Sequence, residues 1–340
     1  MQIIRDLGPS PVSPLAIYFK GMEAISAEGD AKEQDKKYML RGGTSGCYIP
    51  SKNAFIGLNP REALGRFLGF QIKKPKKVKL IFQSGLGSEK QFEVNVRASG
   101  VQFKSDTQYP IYVENWVGKY PLSGRPDGVF LKDNVARFGI ELKSVLSSSA
   151  AEKIFLDDKP KTENVCQAVK YSLATGLPWV LIYSNIAIQG KFKTQVPIGH
   201  KEFFLSIEDD KVILESDSNP RRETVITASG VYDYDSAIVA AYESKDISIL
   251  DWVDSDIFGQ PNTYDGRCYN EFDLMVSANQ SYDKWLFDAE LASKSKYVIT
   301  YKGGKSPEYV LINVEDEEYS RYFPSLQSAR AEYFRLNGRR

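Results

Sequence analysis

Three residues near the middle of the chain have the types and spacing for metal-assisted chemistry on a phosphate. In Gly124–Lys143, GRPDGVFLKDNVARFGIELK, Asp127 follows a proline, and 14 positions later comes the tripeptide Glu141-Leu142-Lys143. Hard divalent cations such as magnesium take oxygen ligands in octahedral geometry, commonly one or two carboxylates completed by waters and a substrate phosphate oxygen. Asp127 and Glu141 can supply those carboxylates. A cation so held lowers the pKa of bound water and stabilises charge developing on a phosphate. Lys143, two residues from Glu141, suits orienting or activating that water, or stabilising the transition state. The same residue types also suit a plain surface hairpin whose Glu and Lys are solvated and paired.

The elements that must position these groups are short. Val129-Phe130-Leu131 runs into a polar turn, Lys132-Asp133-Asn134, and Val135 to Lys143 returns with β-branched and aromatic residues, so a hairpin is predicted. Strand side chains alternate faces, which puts Glu141 and Lys143 on one side and Leu142 toward a core. Asp127, at the mouth of the neighbouring strand, can then meet Glu141 across the pair. Downstream, KTENVCQAVKYSLAT (161–175) predicts an amphipathic helix, with Pro160 before it and Gly176 and Pro178 as stop signals. Helical spacing puts Glu163, Gln167, Lys170, Tyr171 and Ala174 on one face, and Val165, Val169 and Leu173 toward another. Trp179-Val180-Leu181-Ile182-Tyr183 then reads as a buried central strand.

Pro126-Asp127 and Glu141-Leu142-Lys143 resemble the two halves of the motif of the PD-(D/E)xK nuclease superfamily. Gln167-x-x-x-Tyr171 is similar to the QxxxY signature of its RecB-like branch, and strand, strand, helix, strand is that family's core order. The resemblance covers Arg41 to Asn185. It implies an α/β fold: a restriction-endonuclease-like core with a mixed central sheet flanked by helices, joined here to a C-terminal α+β region. It makes Asp127 and Glu141 metal ligands, with the main-chain carbonyl of Leu142 as a third, Lys143 the catalytic lysine, and Gln167 and Tyr171 supports for the site or the scissile phosphate. It further implies Mg2+ as cofactor, with Mn2+ able to substitute, and DNA as substrate. Exonuclease action in recombination, repair or phage DNA processing is expected, alongside a helicase, recombinase or single-strand-binding partner, in the cytoplasm of a bacterial or phage-infected cell. A structure-specific or restriction-type endonuclease would share every catalytic residue. A non-catalytic nucleic-acid-binding or assembly module is the reading from another class.

Further groups fit contact with nucleic acid. Lys73-Lys74-Pro75-Lys76-Lys77-Val78-Lys79 places five lysines in seven residues, able to follow a phosphate backbone or to form the polar lead-in to a strand at Leu80-Ile81-Phe82. Lys170 shares the expected face of the Gln167 helix. Asn59-Pro60-Arg61-Glu62 has the form of a helix start, with a capping side chain, proline at the first position and an acid in the first turn. Arg61 and Arg66 on that helix suit phosphate contacts, while Glu62 suits either the cap or the family's additional upstream acid. Arg41-Gly-Gly-Thr-Ser-Gly-Cys47 offers backbone amides that a phosphate can approach, or a plain loop; it is similar to the family's Ser-Gly-Cys-like element but lacks the basic residue usual just after the cysteine. Phe92–Ala98 and Ile111–Val117 read as strands.

The 340 residues carry 44 basic and 44 acidic side chains, so nucleic-acid binding must rest on local patches. Hydrophobic residues at 42% and charged residues at 26% fit a globular chain. No apolar run approaches a membrane span, and the N-terminal MQIIRDLGPSPVSP lacks a basic region followed by a long apolar one, so an intracellular protein without a membrane partner is expected. Cys47, Cys166 and Cys268 form no CxxC pair and lack the companions of a four-thiolate iron–sulfur cluster, so none is expected. His200 is the only histidine, which excludes a multi-histidine metal site. The expected division is an N-terminal arm (1–40), the nuclease core (41–190) and a C-terminal extension (191–340). In that extension Phe203–Ile207 with Lys211–Leu214 and Tyr297–Tyr301 with Tyr309–Val314 read as strand pairs, and its aromatics read as core or as a stacking surface for single-stranded bases.

Overall fold

The hairpin that carries the candidate carboxylates lies inside a seven-stranded mixed sheet. In the computed structural model, residues 37–74, 76–145, 148–185, 196, 199–250, 271–277, 280–302, 308–316 and 320–338 are described. Strands β1 (Leu40–Arg41), β2 (Gly46–Ile49) and β3 (Ala54–Gly57) precede helix α1 (Pro60–Phe67), and α2 (Lys76–Ala98) leads to β4 (Phe103–Ser105). Next come β5 (Ile111–Val117), β6 (Tyr120–Gly124), and the hairpin of β7 (Gly128–Lys132) and β8 (Val135–Val145). A short helix α3 (Ser148–Ala151) continues as a π-helical turn (Glu152–Leu156), then α4 (Thr162–Thr175) and β9 (Trp179–Asn185). The sheet runs on through β10 (Gly199–Glu208), β11 (Lys211–Ser216) and β12 (Asn219–Thr227), in the order β12-β11-β10-β9-β8-β7-β4.

Local sequence accounts for the hairpin. Asp133 and Asn134 both take left-handed backbone angles, which their short polar side chains tolerate and which a two-residue hairpin turn requires. β8 is antiparallel to β7 and parallel to β9, with Glu141 opposite Leu181. That parallel pair needs a crossover, and α4 supplies it. Val165, Cys166, Ala168 and Val169 of α4 pack on Trp179, Leu181, Tyr183, Phe203 and Leu205. On the other face, Phe92 and Val96 of α2 pack beside Phe103, Ile140, Val180 and Ile182. β9 is thus covered on both faces, as its unbroken apolar run requires.

Two expectations are corrected here. Residues 76–98 form one helix in place of a strand lead-in and a Phe92–Ala98 strand. Phe92 and Val96 alternate with polar residues but are also four apart, and the helical spacing is the one that reaches the apolar cluster. The boundary at 190 falls inside the sheet, because β9 pairs with β10 from Gly199↔Asn185 to Leu205↔Trp179.

A smaller sheet, β1-β6-β5, a β2–β3 ribbon and helix α5 (Ala228–Ser244) complete the site's surroundings. The C-terminal region contains α6 (Glu271–Met275), α7 (Tyr282–Lys294), the antiparallel sheet β13 (Tyr297–Lys302), β14 (Glu308–Asn313) and β15 (Ser320–Phe323), and α8 (Leu326–Leu336). One apolar cluster joins it to the rest: Leu40, Leu64, Phe67, Leu122 and Tyr234 share it with Phe272, Trp285, Val298, Leu311 and Tyr333. Among the C-terminal aromatics Tyr282, Trp285 and Tyr309 are core residues, whereas Phe287 and Tyr322 are exposed. No helix among the described residues is long and apolar enough to cross a membrane.

Candidate active site

β7 and β8 are in register with Gly128 opposite Ile140, which brings Asp127, one residue before β7, beside Glu141. Asp127 Oδ2 accepts a hydrogen bond from the Leu142 amide at 2.5 Å. The Leu142 amide thus holds Asp127 in place, while the Leu142 side chain joins the apolar cluster under α2. Glu141 is 2% exposed, and its Oε1 accepts from Lys143 Nζ at 2.5 Å. Glu141 Oε2 is buried with no hydrogen-bond partner.

The electrostatics follow from this crowding. Burial pushes Asp127 well above the usual carboxylate range, and the nearby Glu141 adds to the rise. Burial also raises Glu141, against the pull of Lys143 and of the facing Gln167 amide. Gln167 lies close enough to act on that carboxyl without making a well-formed hydrogen bond to Oε2. For Lys143, burial favours the neutral amine, but attraction to Glu141 and Asp127 outweighs it, so the ammonium is held protonated.

α4 delivers the other two expected residues. Gln167 Nε2 donates to Tyr171 Oη at 3.4 Å, and Tyr171 Oη donates to the Arg125 carbonyl at 3.3 Å, two residues before Asp127. The Tyr171 ring is 2% exposed and packs on Trp179, with a centroid separation of 5.0 Å. Gly42 and Gly124 face the ring, and a Cβ at either would overlap it, so glycine is required there by close approach. Asp127, Glu141, Lys143, Gln167 and Tyr171 are thus brought into one constellation.

One acid of this site was missed by sequence reasoning. Glu89, on α2, is pushed up to about 7, first by burial and then by Asp127, with Lys143 pulling it down. Asp106 adds negative charge near both Glu89 and Asp127. Reading 76–98 as one helix would have put Glu89 three residues before Phe92 on the sheet-facing side. Glu62, considered for the upstream acid, instead pairs with Arg66 at 2.6 Å on α1, whose start is capped by Asn59 Oδ1 accepting from the Arg61 amide at 2.9 Å.

The expected nucleic-acid contacts fare unevenly. Lys170 is fully buried, with Nζ donating to Asp235 Oδ1 at 2.8 Å, the Thr44 carbonyl at 2.8 Å and the Arg41 carbonyl at 3.3 Å. It is a structural cation with no access to DNA, and Leu173, expected on an apolar face, is exposed. Arg66 is engaged by Glu62, and Arg61 is half-buried beside it on the same helix. Lys73 pairs with Glu315 at 3.2 Å on the surface. Lys74 follows in the linker before α2, while Lys76 and Lys77 open that helix with side chains outside the described residues. In the Gly42–Gly46 loop, Thr44 Oγ1 donates to the Arg41 carbonyl at 2.9 Å, Ser45 Oγ donates to the Gly42 carbonyl at 2.5 Å, and the Gly42 amide donates to the Ser123 carbonyl at 2.9 Å. These groups hold the loop and are not free for a phosphate. Cys47 and Cys166 are buried free thiols, and Cys268 lies outside the described residues.

No group of three or more His, Cys, Asp or Glu side chains among the described residues is gathered to hold a metal. A two-carboxylate magnesium site needs fewer, since waters and substrate complete the shell. The donor set fits such a cation on one observation: a buried carboxylate oxygen without a partner, as on Glu141, has a desolvation cost that a cation or bound water would relieve.

No family model matches the chain, and no curated protein matches it. Among solved structures, an alkaline exonuclease (LHK-Exo) from Laribacter hongkongensis is similar at 12% identity and a TM-score of 0.37, over 62% of this chain and 91% of that one. A protein designated SSO0001 is similar at 14% identity and a TM-score of 0.30, over 50% of this chain and 62% of that one. Likeness this slight decides neither fold family nor activity.

Proposed function

We propose that this chain is a divalent-metal-dependent deoxyribonuclease of the PD-(D/E)xK type, RecB-like, acting as an exonuclease through water attack on a phosphodiester. The observation that carries this reading is the buried Glu141 carboxylate, one oxygen engaged by Lys143 and the other unpartnered, beside Asp127. Asp127 and Glu141 are the residues that would hold the cation. Magnesium, when bound, supplies an acidified water and charge neutralisation at the phosphate.

The rest of the chemistry belongs to the side chains. Lys143, kept as an ammonium by its two acidic neighbours, stabilises negative charge developing on the phosphoryl oxygens and orients the attacking water. Glu89, pushed up to about 7 by burial and by Asp127, is suited to take a proton from that water. Gln167 and Tyr171 tie α4 to the Arg125–Asp127 segment and so keep the two carboxylates in mutual register. DNA as substrate, the exonuclease mode, a helicase, recombinase or single-strand-binding partner, and a cytoplasmic location rest on the sequence resemblance alone.

The deciding assay uses purified protein on linear, circular and single-stranded DNA labelled at either end, with Mg2+, Mn2+ or EDTA. Linear DNA shortened from an end, circular DNA spared and no reaction in EDTA are expected, with cleavage abolished and binding retained in Asp127→Ala and Glu141→Ala. Nicking of circular DNA would identify the endonuclease alternative. Binding without cleavage under every metal condition would leave the non-catalytic module.

A further inference from the structure

The small sheet β1-β6-β5 ends at the candidate active site, and one cross-strand row on it is so far unused. Arg41 is opposite Ser123, and Ser123 is opposite Tyr112. Their strand neighbours Leu40, Leu122 and Ile111 are buried, so by alternation Ser123 and Tyr112 face outward, while the Arg41 side chain is half-buried with its Nε enclosed. Tyr112 is 61% exposed. Two residues beyond Ser123 stands Arg125, exposed and with no side-chain partner among the described residues, its carbonyl fixed by Tyr171 Oη. Two residues further is Asp127. At about 3.3 Å per residue, Ser123 is at most about 13 Å from Asp127 along the chain.

The exposed Tyr112 ring and the exposed Arg125 guanidinium, leading to a phosphate-cleaving centre, have the make-up of a single-strand track: rings stack bases and cations follow phosphates. A base inside a duplex is already stacked on both faces, so away from a duplex end the ring can take only an unpaired one. Glu114, two residues from Tyr112 on the side away from Asp127, is exposed and acidic, which closes the track to further phosphates. We propose that this outer face is a subsite for an unpaired nucleotide next to the scissile phosphate, its base stacked on Tyr112 and its phosphate held by Arg125. This rests on the nuclease reading above and adds to it a requirement for a single-stranded stretch at the cleavage point.

The test is binding in EDTA, independent of cleavage, of a fluorescent oligothymidine of about 20 nucleotides and of a blunt duplex of the same length. Tyr112→Ala should weaken oligothymidine binding about tenfold, as expected for one lost base stack, while Tyr112→Phe stays within about twofold of wild type. Arg125→Gln should make the slope of log K against log salt shallower by about 0.7, the value for one single-strand phosphate, whereas Tyr112→Ala leaves that slope unchanged. Urea midpoints of the variants should match wild type, because both side chains are exposed. Equal binding by Tyr112→Ala and wild type, equal losses in Tyr112→Phe and Tyr112→Ala, an unchanged slope in Arg125→Gln, or a wild-type preference for the duplex would each overturn the subsite. Both binding signatures without magnesium-dependent cleavage would leave the subsite standing and sink the nuclease reading. Cleavage with neither signature would do the reverse.

Discussion

Lys170→Met is the sharpest single perturbation, because sequence and structure assign that lysine opposite roles. In the fold it is one half of an ion pair with neither side chain exposed. Its ammonium also satisfies the carbonyls of Arg41 and Thr44, and Asp235 keeps only the Trp116 indole N–H, at 2.8 Å, once the lysine is gone. Methionine retains the hydrocarbon stem, so the loss is electrostatic. Removing one partner of a buried pair costs about 3–5 kcal/mol, a large part of the roughly 5–15 kcal/mol that holds a domain folded. Burial already raises the Asp235 carboxyl against the pull of Lys170, and removing that pull raises it further. A carboxyl raised on folding favours the native state at low pH and loses that contribution as pH climbs through its folded value. The deficit in urea unfolding, followed by tryptophan fluorescence, should therefore be smaller at pH 5 than at pH 8. Lys170→Met/Asp235→Asn should recover much of it, since an asparagine can accept from Trp116 without a buried charge. A loss under about 1 kcal/mol at both pH values, together with weakened DNA binding, would mean that Lys170 lies on a phosphate-facing surface.

Three further outcomes are expected. Glu89→Gln should remove a pH dependence of stability in metal-free protein: with its carboxyl at about 7 against an ordinary 4.5, native stability falls as pH rises between those values, by about 1–2 kcal/mol after allowing for partial exposure, and urea midpoints at pH 5 and pH 8 would show the slope vanish. Gly42→Ala should cost about 1–3 kcal/mol by driving a methyl into the Tyr171 ring, and slow cleavage with it, while Gly43→Ala, with nothing near its Cβ position, changes neither in the same unfolding and rate measurements. In single-turnover cleavage, Lys143→Met should lose several orders of magnitude, and Gln167→Ala about 1–3 kcal/mol of barrier; near wild-type rates in Lys143→Met would break the assignment.

The parts of this fold legible in the sequence were those whose signals are local. The Asp133-Asn134 turn, the apolar run of β9 and the stop at Gly176 fixed the hairpin, the central strand and the end of α4 within a residue or two. Asp127 met the Glu141 strand because strand alternation and a two-residue turn leave little freedom. α2 was misread since FEVNVRA satisfies a period of two and a spacing of four equally well, and the choice was made by a cluster of residues from β4, β8 and β9. Glu89 was hidden by the same error. Lys170 shares a helical face with Gln167 on paper, but its partner is Asp235, 65 residues away, and no local pattern announces a buried ion pair across that separation.

The continuation of the sheet past residue 190 sets how the chain can be divided. A fragment ending there would leave the long hydrogen-bonding edge of β9, with its Trp179-Val180-Leu181-Ile182-Tyr183 run, open to any other strand in solution. Such flat apolar edges are aggregation templates. It would also lose Phe203, Leu205, Val212 and Leu214 from the cluster beneath α4, and with α5 it would lose Asp235, the counter-charge of Lys170. The candidate motif therefore occupies less than half of the chain, while the strands and the helix that cover its sheet and its buried cation lie outside that half. A truncation series should pass from insoluble to soluble only once α5 is complete, at Ser244 or beyond.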